Sequence, residues 1–395
     1  MKRVFAFVPA VTAMLLVSAC GGGAAVSSAI ESINPTNWFG SRTVAPEMAP
    51  LPPLTNTLAV STLWQANIGS SQQAVFSPAA AGDSVYAAAN DGTITRLDGA
   101  SGKQLWRINA GERLTGGVGA DAKTVAVGSG KGEVLAFDAN GGALWKTQVS
   151  SEVLAAPQVT DDFVVVRSID GRIFGLDAKD GKRKWYYQRA TPSLTVRSAA
   201  GISISEGVVY AGFAGGKLVA INLSNGGVRW EATVALPRGA TELERVTDVI
   251  GLPAVTEREV CAVAFQGRIG CFDRANGQAV WGREMSSTSG LTLDARYVFV
   301  SDDKGAVHAL DRTNGRSVWK QDRLAYRQLT LPLPLGTEVA AGDLQGFVHF
   351  MARESGAFIA RAPTDGSPIR AAPLKLPEGF LVQTQNGGLY ALTLN

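Results

Sequence analysis

Apolar and polar positions along this chain repeat as a unit, and its clearest copy is Val85–Trp106, VYAAANDGTITRLDGASGKQLW. Val85–Ala89 is a short apolar run. Asp91-Gly92 marks a hairpin, because glycine takes the positive φ that a tight turn requires. Thr93–Asp98 alternates, with Ile94 and Leu97 apolar, which is the period-2 signal of a half-buried strand. Asp98 to Gly102 is a second turn, in which an aspartate accepts hydrogen bonds from the N–H groups just ahead of it. Leu105-Trp106 opens an outer strand.

The unit recurs, aligned on the hairpin glycines Gly92, Gly132, Gly171, Gly216, Gly267, Gly305, Gly346 and Gly387. Six residues on stand Asp98, Asp138, Asp177, Asn222, Asp273, Asp311, Ala352 and Thr393. Turn glycines follow at Gly102, Gly141, Gly181, Gly226, Gly277, Gly315 and Gly356. Four residues after the first six of these comes a tryptophan: Trp106, Trp145, Trp185, Trp230, Trp281 and Trp319. A period of roughly 40 residues with strand–turn–strand content is the mark of a β-propeller blade.

The eighth copy ends at Asn395 with no turn glycine and no tryptophan, and the missing piece stands near the other end as Ser61-Thr62-Leu63-Trp64. An N-terminal strand that completes the last blade closes the ring and removes two exposed sheet edges. The expected fold is therefore all-β: an eight-bladed propeller of four-stranded antiparallel blades over residues 58–395, with seven blade tryptophans. Blade seven is degenerate, with Ala360 in the tryptophan position, so its neighbours are expected to repack around Phe358 and Ile359.

Spacing singles out one face. The intervals Trp106–Trp145 and Trp145–Trp185 are 39 and 40 residues, but Trp185–Trp230 and Trp230–Trp281 stretch to 45 and 51. The extra length falls in Gln188–Ala200 and Thr233–Ile250, which connect one blade's outer strand to the next blade's inner strand. In a propeller these connections emerge on the same face as the Asp-Gly hairpins. Long ordered loops on a rigid scaffold are where function concentrates.

Composition adds that the chain is 46% hydrophobic, with 45 glycines and a net charge of +3. Two of those charges, Lys2 and Arg3, open an apolar run that reads as a secretion signal over residues 1–19. The remaining charge is no footprint for nucleic acid. Leu16-Val17-Ser18-Ala19-Cys20 resembles the bacterial lipobox, which implies a lipid on Cys20. Gly21 after that cysteine implies the outer membrane, facing the periplasm. Residues 20–57, rich in Gly, Ala and Pro, read as a flexible tether, with Trp38-Phe39 either a docking element or a loose aromatic pair.

Catalytic chemistry finds little support. His308 and His349 each stand three residues after a hairpin glycine, in a slot that elsewhere holds Thr95, Leu135, Phe174, Val219, Gly270 and Tyr390. A slot that accepts all of these is a strand position. The once-per-blade aspartates are turn residues, and no phosphate loop, zincin helix or serine nucleophile motif occurs. Cys261 and Cys271 flank the blade-five hairpin. With a three-residue loop they face each other near disulfide range; with a two-residue loop Cys261 faces Phe272 and both remain free thiols.

The repeat apolar-Asp-x-x-(Asn/Asp/Ser)-Gly-x-x-x-Trp resembles the quinoprotein-type propeller repeat, in which each tryptophan docks on the adjacent blade. Two classes share it. The pyrroloquinoline quinone dehydrogenases carry vicinal cysteines that this chain lacks. The BamB lipoproteins of the outer-membrane β-barrel assembly machinery are similar over nearly the whole chain. That similarity includes the lipobox, Pro50-Leu51-Pro52 and the closing strand. Pro192-Ser193-Leu194-Thr195-Val196-Arg197 is similar to their Pro-Ser-Leu-x-Leu-Arg loop. Thr241–Val249, TELERVTDV, is similar to their Thr-Glu-Ile-Asp-Arg-Leu-Ser-Asp-Val segment.

This resemblance implies a non-enzymatic scaffold without cofactor that docks the POTRA domains of BamA. In it Leu194 and Val196 serve as apolar anchors and Arg197 as a bidentate donor. Asp248 either holds that arginine or meets the partner. The family's second acidic position is occupied here by Ile250. Direct contact with nascent outer-membrane proteins, by strand addition to a blade edge, is a further implied partnership. The alternative is a quinoprotein-like propeller that binds pyrroloquinoline quinone or another periplasmic ligand.

Overall fold

The computed structural model describes residues 47–54 and 58–394. The secretion signal, Cys20 and Trp38 lie outside the described residues. Eight four-stranded antiparallel sheets follow one another along the chain. Blade one is Ala79–Ala81, Ser84–Ala88, Thr93–Asp98 and Gln104–Asn109, from inner to outer strand. Middle strands such as Ser84–Ala88 are buried throughout, whereas outer strands such as Gln104–Asn109 alternate between exposed and half-buried. Blade eight draws three strands from the C-terminal end and its outer strand, Val60–Asn67, from the N-terminal end. That strand pairs from Val60 opposite Leu394 to Asn67 opposite Gly388, with Trp64 opposite Ala391.

The core is distributed between the blades. Eight hydrophobic clusters among the described residues each fill the wedge between two neighbouring sheets. Tyr86, Ala88 and Ile94 of blade one, for example, meet Val125, Val127 and Leu135 of blade two. No blade buries its own faces, so the ring is the stable unit.

Each tryptophan ties its blade to the next. The indole N–H groups of Trp64, Trp106, Trp145 and Trp185 donate to the carbonyls of Gly99, Ala139, Ala178 and Leu223 at 2.7–2.9 Å. Those of Trp230, Trp281 and Trp319 donate to Arg274, Arg312 and Arg353 at 2.6–3.0 Å. The acceptor is always the residue after the recurrent turn aspartate, or after Asn222 or Ala352 in its place. The turn glycine serves this contact. Gly181 has φ +70°, and a Cβ there lies 2.5 Å from the Trp145 ring.

This geometry explains the tryptophan missing from blade seven. Its ring has to dock on the turn between the third and outer strands of blade eight. No such turn exists, because those strands are the two ends of the ring. Ala360 is buried at this junction, where Phe350 and Phe380 meet edge to face at 5.8 Å. Repacking around Phe358 is therefore not what happens: Phe358 turns the other way, into the cluster with Trp319 of blade six, and only Ile359 packs at the seven–eight junction.

The expected tether also ends earlier than residue 57. Ala49 donates its N–H to Ala325 O at 2.9 Å, and Leu58 donates to Ile359 O at 2.9 Å. Pro52 is buried, and Leu54 packs against the cluster between blades six and seven. A proline-rich composition reads as an extended spacer, but here extended backbone lies along the propeller wall.

A candidate docking face built on two loops

Two long connections define the candidate face. Residues 189–201 join Arg183–Gln188 of blade three to Ile202–Ser205 of blade four, and residues 234–253 join Val228–Thr233 of blade four to Ala254–Val255 of blade five. Both stay close to the hairpins of their blades. Asp248 forms an antiparallel bridge with Ala214, and Val249 one with Ala264. The loops therefore sit on the hairpin face, as their spacing predicts.

Leu194 projects from the first loop with 43% of its surface exposed, and Val196 is half-buried. One backbone bond and one side-chain ion pair hold this stretch. Val196 donates its N–H to Asp248 Oδ2 at 2.6 Å. Arg197, its side chain exposed, donates through Nη2 to both Glu152 oxygens at 2.8 Å. Glu152 belongs to the connection between blades two and three, so one arginine links three successive blades.

Asp248 takes a different place from the one the family pattern implies. It is 4% exposed and reaches neither Arg197 nor the surface. Its carboxylate accepts from Val196 and, at 3.3 Å, from Gly215 N–H. The bridge with Ala214 draws it under the first loop, where its charge faces Arg167 instead. That guanidinium donates to Gly212 O at 2.6 Å and lies 5.0 Å over the Phe213 ring. Burial pushes the Arg167 pKa down to about 10, against the opposing pull of Asp248. Asp248 thus positions the loop that carries the anchors. Arg167 escaped the sequence reading, although a charge closing the apolar run Phe163-Val164-Val165-Val166 was a visible signal.

The second loop adds exposed apolar surface. Leu236 is 62% exposed and Leu243 is 72% exposed. Leu243 rides on a turn closed by a capping box, the reciprocal pattern in which a Thr and a Glu satisfy each other's backbone donors. Glu244 accepts from the N–H groups of Ala240 and Thr241, and Thr241 Oγ1 accepts from Glu244 N–H. Ile250, at the family's second acidic position, is buried.

The remaining candidates are structural in this geometry. His308 Nε2 lies 2.9 Å from Asp302, and His349 Nε2 lies 2.8 Å from Asp343, each pair spanning its own hairpin. Among the described residues, no group of three or more His, Cys, Asp or Glu side chains is placed to hold a metal ion. Cys261 pairs directly with Cys271 in the strand register, and the two are joined as a disulfide. The three-residue hairpin loop is the register that forms.

Known proteins are similar to this chain over most of its length. A family profile described as outer membrane protein assembly factor BamB matches residues 59–110 and 90–321. BamB of Nitrosomonas eutropha is 48% identical over 340 residues, covering 86% of this chain and 83% of that protein. BamB of Escherichia coli is 30% identical over 369 residues, covering 90% and 94%. The crystal structure of BamB from Moraxella catarrhalis aligns with a TM-score of 0.79 at 29% identity, over 85% of this chain and 100% of that one. A quinohemoprotein alcohol dehydrogenase from Comamonas testosteroni, 14% identical with a TM-score of 0.67, shares the fold alone. The relatives match nearly end to end and the profile runs through the blades that carry both loops, so the chain belongs to the BamB family of outer membrane protein assembly factors.

Proposed function

We propose that this chain is a non-catalytic scaffold of the Bam complex that docks the periplasmic POTRA domains of BamA through residues 189–201 and 234–253. By holding those domains it favours the folding and insertion of outer-membrane proteins. A lipid on Cys20 keeps the propeller at the periplasmic face of the outer membrane.

The observation that carries this reading is Leu194, an apolar side chain held in water two residues ahead of a backbone N–H fastened by Asp248. A preformed anchor loses little conformational entropy on association. Val196 widens the apolar contact, and Arg197 offers its remaining donors to an acidic group, since arginine beside apolar anchors is a common hot-spot composition.

Co-purification with BamA from solubilised outer membranes tests the reading. Leu194→Ala is expected to cost about 1–2 kcal/mol of binding, and Arg197→Glu to abolish co-purification with the propeller's circular dichroism unchanged. Undiminished co-purification of both variants moves the site elsewhere.

A further inference from the structure

The tryptophan series leaves one junction of the ring without a rivet, and the chain preceding the closing strand crosses the wall at that place. Ala49 pairs with Ala325 in the connection between blades six and seven, Leu54 enters the cluster between those blades, and Leu58 bonds the outer strand of blade seven at Ile359. The next residues become the outer strand of blade eight. Residues 48–54 and Leu58 thus lie along blades six and seven, at the edge of the one whose tryptophan is absent.

Two arginines grip this segment by its main chain. Arg327, 2% exposed, is the largest of the fully buried side chains. It pairs with Asp343 at 2.7 Å, donates to Gln345 at 2.5 Å, and donates to Ala49 O at 3.0 Å. Arg361 donates to Pro52 O at 2.9 Å and to His349 Nδ1 at 3.3 Å. The loop that presents Arg327 is itself strained. Tyr326 and Gln328, on either side of it, have φ of +58° and +48°, a region that is costly for a non-glycine residue and persists where the surroundings demand it. Backbone distorted on both sides of a buried cation, so that the cation reaches a carbonyl of the N-terminal segment, marks that contact as built.

We propose that residues 48–54, together with Leu58, act as a strap that takes the place of the eighth tryptophan and protects the seam. The outer strand of blade eight is held by one ladder of hydrogen bonds, so a pull on the chain ahead of Val60 acts on the end of that ladder, where pairs break one at a time. The strap takes such a pull at Arg327 and Arg361 before it reaches Val60. Its grip on carbonyl oxygens depends on the course of the backbone, and Pro52 and Leu54 fix that course.

Hydrogen exchange on the full-length protein tests the strap. In the unmodified chain the amides of Ala49 and Leu58 are expected to exchange as slowly as those of the blade-seven outer strand. In the double variant Pro52→Gly, Leu54→Gly, residues 60–67 are expected to lose at least about ten-fold in protection, with blades two to four unchanged. Protease is expected to cut residues 47–54 at least about ten-fold faster. Exchange of Ala49 and Leu58 at the rate of unstructured peptide overturns the proposal without recourse to any variant. So does undiminished protection of residues 60–67 in the double variant.

Discussion

Truncating one rivet tests both the mechanics of the ring and the candidate docking face that its strand leads into. Trp185 is 6% exposed, packs in the wedge between blades three and four, and donates to Leu223 O at 2.7 Å. Replacing a buried tryptophan with alanine costs about 3–5 kcal/mol, the spread reflecting how far the wedge collapses. Trp185→Phe keeps most of the apolar contact and loses the indole donor, which is worth about 0.5–1.5 kcal/mol. Urea unfolding followed by circular dichroism should rank the two variants in that order. The outer strand that carries Trp185 runs on into residues 189–201, so Trp185→Ala should also weaken retention of BamA. Trp281→Ala, at the five–six junction, should destabilise the ring with BamA retained. A Trp185→Ala cost below about 1 kcal/mol refutes the rivet. Equal costs for the alanine and phenylalanine variants refute the division between packing and hydrogen bond.

Other perturbations separate roles that the sequence leaves merged. Asp248→Ala removes a charged acceptor for two backbone donors and leaves the Arg167 charge unanswered. It should lower stability by about 2–3 kcal/mol and weaken BamA binding, whereas Arg197→Glu should abolish co-purification without that loss in urea unfolding. Reduction of the Cys261–Cys271 bond, which spans ten residues of sequence, should cost about 2–3 kcal/mol on the chain-entropy account, read as a shift in the urea midpoint with reductant. Stability should also fall in two stages on acidification. His349 is pushed below the usual imidazole range by burial, with Arg327 and Arg361 acting in the same sense and Asp343 against them. A lowered folded value means that its contribution is complete above about pH 6.5 and is lost as pH falls; His349→Gln should flatten the thermal midpoint between pH 6.5 and 5. Asp98, Asp177 and Asp311 are held below the usual carboxylate range, first by side-chain hydrogen bonds from Ser101, Lys184 and Thr313. Their stabilisation is complete above about pH 4 and disappears below it.

The blades were readable because each repeats the same local requirements: alternation in the strands, an aspartate and a glycine in the turns. The closing strand was readable because Trp64 stands without a preceding turn glycine and the last copy lacks both. What escaped depended on partners far along the chain. Ala360 reads as decay of the repeat until the absent turn of blade eight explains it. Asp248 sits in a polar segment and reads as surface, but its bridge to Ala214 buries it. The segment from Met48 to Leu54 reads as a spacer, since the arginines that hold it lie more than 270 residues downstream. The cysteine pairing turned on one residue of hairpin loop, a difference that composition cannot resolve.

The seam also sets a clock on biosynthesis. Val60–Asn67 leaves the ribosome about 330 residues ahead of its partner, Gly388–Leu394. Until then the first strand has a bare edge and the first and seventh blades each lack a neighbour. Once seven blades have stacked, the two ends lie side by side, and joining them costs little further chain entropy. A copy that meets another before that moment presents the same two complementary edges, head to tail. Because such a contact repeats without closing, crowded nascent chains have open-ended threads as the competing product to the ring.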